Sequence, residues 1–493
     1  MFSKKICERA RLARDSRFDG QFFVGVLTTG IYCRPICPAV APKSENVSFY
    51  PSAAAAGEAG FRPCLRCRPE CAPGTPAWSG SSTTVKRGLK LIAGGALDDG
   101  DVELLSDRLG VTSRHLRRLF TKHLGASPLA VAHTQRLHFA KRLIDETALS
   151  MSHISSAAGY GSIRRFNDTF KKTYGRAPRE LRKTGDGSNE SGDAAMLSVR
   201  LLYRTPFNWP ALLEFFTGRA TPGVESVIGN RYLRTISVGG KHGVISIGPQ
   251  KQSSILTLTL TSVDTGALFE IVQRSREMFD LDAPIDEITA TLNRDESLRG
   301  LIKRSPGIRV PGAWDGFELA IRAILGQQIS VKAATTLAGR IAERYGERLS
   351  LSVESEDQSL SRIFPSAERL MRARFNNIGL VKSRADTIRR VAAAVINGEL
   401  KFDAAQEPED FCNSLTDIKG VGDWTAQYVA MRVLKNPDAF PSTDLGLLKA
   451  LGSMESQGGR ATPTELLRRA EAWRPWRAYA ALLLWGSLAN SGG

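Results

Sequence analysis

The rhythm of apolar and polar positions changes several times along the chain. Residues 22–33 (FFVGVLTTGIYC) alternate as short strands do. VSFY (47–50) reads as another strand, with an Ala-rich helix after it. Residues 84–183 carry apolar positions at helical spacing and contain two similar patterns, LLSDRLGVTSRHLRRLFTKHLGASP (104–128) and ISSAAGYGSIRRFNDTFKKTYGRAPREL (154–181). Each reads as helix, turn, helix, with Gly110 and Gly159 at the turns and second helices starting near Thr112 and Ser162. The stretch 196–290 mixes strand-like runs (RYLRTISV, HGVISIGP, SSILTLTLTSV) with one helix, FEIVQRSREMFDL. From about 291 onward the pattern is helical apart from short turns. Two stretches poor in large apolar residues, 72–83 (APGTPAWSGSST) and 184–195 (TGDGSNESGDAA), read as linkers.

Composition adds a partner. The 493 residues are 42% hydrophobic, enough for several cores, and the length suggests about three or four domains. A net charge of +17 favours a polyanion. Residues 84–183 hold nineteen Lys/Arg against nine Asp/Glu, so the basic excess is concentrated on the helix-turn-helix patterns. No run of about 18 apolar residues exists, which predicts no membrane span. The charged start MFSKKICERARLARD lacks the apolar core of a secretory signal, so a cytoplasmic, nucleoid-associated protein is expected.

Six of the seven cysteines lie in the first 71 residues, too local for a disulfide framework in so long a chain. The spacing Cys33-x3-Cys37, 26 residues, Cys64-x2-Cys67 matches one tetrahedral Zn²⁺ with four thiolate ligands. Its alternative reading is a purely structural zinc knuckle. Cys7 and Cys71 stand outside the quartet, Cys71 being a distant substitute ligand.

TTGIYCRPIC, ENVSFY and GFRPCLRC closely resemble the N-terminal domain of the Ada family of methylphosphotriester-DNA methyltransferases, over nearly all of residues 1–71. The resemblance implies that Cys33 accepts a methyl group from a DNA phosphotriester and that Cys33, Cys37, Cys64 and Cys67 bind the zinc. The paired helix-turn-helix patterns, with Gly175, Pro178 and Arg179 closing the second, resemble the AraC-family DNA-binding domain. By that resemblance Arg114, His115, Arg117, Arg118, Arg164 and Arg165 are groove or phosphate contacts; the alternative is a merely solvated helix face.

In LTDIKGVGDWTAQYVAMR (415–432), Gly420-Val421-Gly422 marks a tight hairpin whose backbone N–H groups suit a DNA phosphate. About 20 residues on, AFPSTDLGLLKAL places Asp444 between a turn and a helix. These motifs resemble the helix-hairpin-helix glycosylases. With PGIRVPGAWDGFELAIRAILGQQISVKAA (306–334) and AEAWRPWRAYAALLLWGSLA (470–489), the resemblance is closest to AlkA-like 3-methyladenine DNA glycosylases, over roughly 196–493. It implies that Asp444 is the essential carboxylate; Asp438, six residues before it, is the rival by position, and its place beside Asn436-Pro437 suggests a solvated turn. Trp424, Tyr428 and Trp485 would form the base pocket, and Gln328 would stand where relatives carry a leucine wedge. Strand-cutting relatives have a Lys at the position of Trp424, so hydrolysis by water is expected. No cysteine follows Cys412, so no iron–sulfur cluster is expected. No Pro-Cys-His-Arg tetrapeptide occurs, so neither is direct O6-alkylguanine repair.

The expected architecture is multidomain α+β. A small zinc-binding α/β head (1–71) leads to an all-α double helix-turn-helix domain (84–183). An AlkA-type α+β domain (196–290) and an all-α helix-hairpin-helix glycosylase domain (291–493) follow. The function expected is a monomeric methyl-accepting activator joined to a base-excising enzyme, with double-stranded DNA and RNA polymerase as partners. The competing readings are a methyl-sensing regulator whose C-terminal half binds DNA without chemistry, and a sensor of a small metabolite. The second lacks sequence for an apolar ligand barrel.

Overall fold

The computed structural model describes residues 2–72, 83–97, 101–147, 149–182, 196–250, 254–349, 357, 359–402, 406–454 and 461–489. The linker expected at 184–195 lies outside them, as does nearly all of that at 72–83. The chain forms two compact units, Met1–Tyr203 with Val263–Gln273, and Arg204–Ser262 with Arg274–Gly493.

The first unit opens with helix α1 (Lys4–Leu12), strands β1 (Phe23–Val26), β2 (Ile31–Cys33) and β3 (Val47–Tyr50), helix α2 (Ala53–Glu58) and strand β4 (Arg62–Pro63). The strands form one sheet ordered β3-β1-β2-β4, antiparallel except for the parallel β2–β4 pair. The period-two alternation is buried on both faces. Phe22 and Val24 pack with Cys7 and Ala10 of α1, while Phe23 and Tyr32 pack with Ala53 and Ala56 of α2.

Helices α3 (Thr83–Ala93), α4 (Val102–Arg108), α5 (Ser113–Leu124), α6 (Pro128–Glu146), α7 (Met151–Ala157), α8 (Ile163–Tyr174) and α9 (Pro178–Leu181) follow, then strand β5 (Met196–Leu202). The turn glycines before α5 and α8 have left-handed φ, +69° at Gly110 and +71° at Gly159. Thr112 and Ser162 cap the two helices by accepting from the His115 and Arg165 amides. Leu116, Phe120 and Leu124 bury one face of α5, and Phe166, Phe170 and Tyr174 occupy the same turns of α8.

In the second unit α10 (Trp209–Thr217) precedes an antiparallel meander of β6 (Glu225–Ile228), β7 (Arg231–Val238), β8 (Lys241–Pro249) and β9 (Ile255–Thr261). Helix α11 (Leu268–Met278) begins in the first unit and ends in the second. Helices α12 (Ile285–Leu292), α13 (Glu296–Arg304), α14 (Gly316–Leu325) and α15 (Val331–Tyr345) come next. The two-residue strands β10 (Glu347–Arg348) and β11 (Arg362–Ile363) pair before α16 (Ala367–Met371), α17 (Lys382–Ile396), α18 (Pro408–Thr416), α19 (Asp423–Arg432), α20 (Leu445–Met454), α21 (Pro463–Ala470) and α22 (Arg477–Ala489).

The sequence reading allowed one helix within 196–290; the structure has α10, α11 and α12 there. WPALLEFF is too short and too uniformly apolar for periodicity to separate helix from strand. Its helical fate is set by the cap, where the Asn208 side chain accepts from the Ala211 amide and Pro210 fits the first turn. A buried ion network ties the meander to α14. Glu225 of β6 pairs with Arg322 at 2.7 Å, and Glu318 pairs with Arg234 of β7 at 2.8 Å and Arg322 at 3.0 Å.

Candidate functional sites

The β2–β4 pairing sets Tyr32 opposite Pro63, so Cys33 and Cys64, one residue further on each strand, become neighbours. Turns then return Cys37, whose amide donates to the Arg34 carbonyl, and Cys67. All four sulfurs lie within 4.8 Å of one another. A Zn–S bond of about 2.3 Å gives tetrahedral S···S edges of about 3.8 Å, so four thiolates at this spacing fit one Zn²⁺. Without a cation the sulfurs cannot all ionise. Hydrogen bonds with Cys37 and Cys64 push the Cys33 thiol up, while those with Cys33 hold Cys37 at about 7 and Cys64 lower still. Cys64 and Cys67 are buried and Cys33 and Cys37 half-exposed, so only the first pair is open to a substrate.

Arg34 was not picked out from the sequence. Its amide donates to Cys67 Sγ at 3.3 Å, and its guanidinium pairs with Asp19. The head is seated on α6. Tyr32, beside Cys33, hydrogen-bonds through its hydroxyl to His138 Nε2 at 2.8 Å, and Arg68, beside Cys67, pairs with Asp145 at 2.8 Å. A lone histidine in a helical run gave no sequence signal of this contact.

On the faces of α5 and α8 opposite the buried triads, Arg114, Arg117, Arg118, Arg164 and Arg165 are exposed and His115 is half-buried. His115 Nδ1 lies 3.0 Å from Arg118 Nη2, and Arg117 pairs with Glu103 at 3.3 Å across exposed surface, an interaction of little energy. The two helices present their cations at equivalent first-turn positions.

In the second unit, α18 and α19 flank the Gly420–Gly422 hairpin. Gly420 has φ +100°, and a Cβ there would stand 2.0 Å from Thr387 Oγ1. The hairpin carbonyls are tied inward. Lys419 O accepts from Arg390 at 3.1 Å and Gly420 O from Gln327 Nε2 at 3.1 Å, while the first-turn N–H groups of α19 have no helical partner.

Beside this hairpin opens a cavity of about 1010 Å³ whose lining includes Trp424, Tyr428, Asp444, Trp485 and Gln328. Trp424 and Tyr428, one turn apart on α19, lie nearly parallel (8°) with ring centroids 5.2 Å apart; Trp485 of α22 meets Tyr428 edge-on at 6.4 Å. Asp444 caps α20 by accepting from the Leu447 amide at 2.9 Å. It also accepts from Trp424 Nε1 at Oδ2 and Trp485 Nε1 at Oδ1, both at 2.8 Å. All three partners are N–H donors, so both side-chain oxygens of Asp444 act as acceptors. Gly446 is what lets the indole come so close, since a Cβ there would stand 3.2 Å from Trp485 Cδ1.

Gln328 stands at the rim, exposed, with left-handed φ of +58°. Asp438, the rival carboxylate, is occupied elsewhere. Arg477 binds it at 2.7 Å and Arg474 pairs with it as well, and it does not line the cavity. Phe215, Arg219, Arg322 and Arg432, which also line the cavity, went unnoticed in the sequence. They come from α10, the turn after it, α14 and α19, and only folding brings them together.

Four family descriptions match along the chain: metal binding domain of Ada (6–70), helix-turn-helix domain (105–184), AlkA N-terminal domain (198–315) and HhH-GPD superfamily base excision DNA repair protein (321–476). A Mycobacterium tuberculosis protein described as a bifunctional transcriptional activator/DNA repair enzyme AlkA is 40% identical over 484 residues, 98% of this chain and 96% of the relative. DNA-3-methyladenine glycosylase 2 of Escherichia coli is 32% identical over 58% of this chain and 95% of its own length. The E. coli bifunctional transcriptional activator/DNA repair enzyme Ada is 36% identical over 36% of this chain and 48% of its own. The solved 3-methyladenine DNA-glycosylase from Archaeoglobus fulgidus shares the fold of the C-terminal part, with a TM-score of 0.51 at 24% identity over 58% of this chain and 96% of that one.

Proposed function

The chain belongs to the family of bifunctional transcriptional activator/DNA repair enzymes, and from that premise we propose which residues carry each activity. The protein accepts methyl groups from DNA phosphotriesters, activates transcription in response, and excises alkylated bases such as 3-methyladenine. Its division into a head (1–71), a paired helix-turn-helix domain (84–183), an α+β domain (196–290) and a glycosylase domain (291–493) separates these tasks.

In the head, Cys33 is the acceptor, and zinc, when bound by the four cysteines, keeps the sulfurs deprotonated at neutral pH. Cys33 Sγ attacks the methyl carbon. The S–C bond forms as the C–O bond breaks, and the DNA phosphate leaves as an ordinary diester anion. The thioether is not turned over, so the reaction is stoichiometric. The cluster has then lost one negative charge and repels DNA less, and the basic faces of α5 and α8 convert this into tighter promoter binding. Arg114, His115, Arg117, Arg118, Arg164 and Arg165 meet the grooves and phosphates, with RNA polymerase recruited beside them.

In the C-terminal half, Gly420 and Gly422 present backbone N–H groups to a phosphate. Trp424, Tyr428 and Trp485 receive the flipped base by stacking and cation–π attraction. Gln328 at the rim fills the gap left in the duplex. Asp444 orients water and stabilises the positive charge developing on the deoxyribose. Among the described residues that line the cavity there is no lysine to attack C1′, which supports hydrolytic excision. The observation that carries this reading is the Asp444 carboxylate held by both pocket tryptophans. No described helix is long and apolar enough to cross a membrane, and we place the chain as a monomer at DNA in the cytoplasm.

The test is incubation with DNA bearing radiolabelled methyl groups, following label in free bases and on protein. Released methylpurines together with label mapped to Cys33 are expected. Labelled protein without released base would leave a sensor with a silent glycosylase fold. Released base without labelled protein would make the zinc head purely structural.

A further inference from the structure

Helices α5 and α8 keep one register but not one chemistry. Counted from their caps, Thr112 and Ser162, the positions outside the buried triads are Arg114, His115, Arg117 and Arg118 on α5. On α8 they are Arg164, Arg165, Asn167 and Asp168. Helix α5 holds no acid, and these four side chains present donors. Arg118 Nη2 lies 3.0 Å from His115 Nδ1. A guanidinium cannot accept, so Nδ1 does, which leaves the ring hydrogen on Nε2. Helix α8 sets a carboxylate, Asp168, where α5 has Arg118. Asp168 stands 4.0 Å from Arg164 Nε, and the two side chains are 73% and 92% exposed, so their pairing adds little to the fold. Both line an open cleft of about 340 Å³ along α8, with Ser162, Arg165, Thr169 and Lys172. An acid on a surface that faces phosphates weakens binding to every sequence alike. It favours one sequence over another only where a base offers it a donor.

We propose that Arg164 and Asp168 read one G·C pair as a unit, Arg164 donating to the guanine and Asp168 accepting from cytosine N4. The second helix-turn-helix thereby sets a stricter base preference than the first. The inference rests on the reading of both units as DNA-binding and adds Asp168 to the residues named there. In the major groove cytosine offers its N4 amino group and no acceptor, whereas adenine sets the acceptor N7 beside its amino group, and guanine and thymine offer acceptors. A G·C pair therefore shows two acceptors and then a donor, and an arginine beside a carboxylate is the complement of that edge. On α5, Arg118 and His115 match the two guanine acceptors but have nothing to offer the cytosine amino group. The first unit thus supplies affinity and the second discrimination. The DNA site has two unlike halves, although the protein units that meet them are alike in form.

The experiment selects binding sequences from undamaged duplexes with a randomised segment, using the full zinc-loaded chain and its Asp168→Ala and Asp168→Asn variants. Affinity is then measured for the selected duplex and for random-sequence DNA. Wild type should select a fixed G·C pair that Asp168→Ala no longer requires. Preference for that pair over A·T should fall by about 10-fold or more in Asp168→Ala, while affinity for random-sequence DNA rises because a repulsive charge has gone. Asp168→Asn should exchange G·C for A·T at the same position, since an amide matches adenine N7 and N6. A new preference of that kind cannot come from misfolding. The same selected sequence in all three proteins would make Arg164 and Asp168 a solvated ion pair and overturn the proposal. So would weaker binding of Asp168→Ala to random-sequence DNA. If wild type selects no sequence at all, the reading of the two units as promoter-binding fails and the proposal falls with it, which is a different result.

Discussion

In the head, four sulfurs lie within 4.8 Å of one another and fit a cation; in the candidate base pocket, Arg219, Arg322 and Arg432 line the same cavity as the phenol of Tyr428 and a single carboxylate, Asp444. The head gathers negative charge that a metal must balance, and its reacting atom is consumed in one event. The pocket gathers positive charge behind aromatic rings, and every group in it is returned after each turnover. Loss of a head ligand therefore removes a reactant, whereas loss of a pocket group changes a rate. If the two sites are chemically independent, variants should divide cleanly between them.

The largest division is expected from Asp444→Asn. An amide has no charge to offer the developing deoxyribose cation, and its NH₂ would face one of the two indole N–H groups that the carboxylate now satisfies. Base release should fall by about 10²–10³-fold, with binding of DNA that contains an abasic-site analogue retained and methyl transfer to Cys33 unchanged. Release as fast as wild type would return the catalytic role to another group. A simultaneous loss of Cys33 methylation would break the independence of the sites.

The hairpin glycines sharpen the contrast further. Gly420→Ala forces a Cβ into Thr387 Oγ1 at a backbone φ of +100°, at a cost of about 3 kcal/mol or more, seen as an earlier thermal transition of the second unit. Gly422 has φ −104° and open space around its Cα. Its alanine variant should melt as wild type does yet bind DNA more weakly, because a methyl group stands where a phosphate approaches the N–H. Equal melting of both variants, or full affinity in Gly422→Ala, would remove the hairpin from the DNA-binding surface.

How far each site could be read from the chain follows from the same contrast. The thiol cluster is two short motifs, each local, so spacing alone announced it, and the helix-turn-helix units were equally plain because Gly110, Thr112, Gly159 and Ser162 are local turn and cap signals. The pocket was half visible. Trp424, Tyr428 and Asp444 sit in recognisable motifs, but Arg219, Arg322 and Arg432 lie on separate elements and read as ordinary surface charge until folding buries them. Helix α10 was missed because an eight-residue apolar run has no decisive period, and its cap settles the matter only once Asn208 is known to accept from Ala211. The seating of the head on α6 was invisible for the same reason, since a tyrosine at position 32 and a histidine at 138 share no pattern.

That seating supplies the smallest and most selective test. Burial, with Arg142 nearby, lowers His138 from 6.5 to about 4, so in the folded head it is neutral and hydrogen-bonded to Tyr32. The unfolded chain binds a proton at about 6.5 and the folded one resists it until about 4. Stability from this group is therefore full above about pH 6.5 and falls as the pH drops through that window, by up to about 3 kcal/mol at its lower end. His138→Gln keeps a side-chain amide for Tyr32 but has no proton to gain. Amide exchange in β2 and α6, corrected for intrinsic pH dependence, should lose protection between pH 6.5 and 4.5 in wild type and lose less in the variant. Release of 7-methylguanine, which belongs to the other unit, should follow the same pH profile in both proteins. Identical exchange in the two proteins would mean that His138 does not carry the acid sensitivity of the head. A changed excision profile would mean that the head and the pocket are coupled after all.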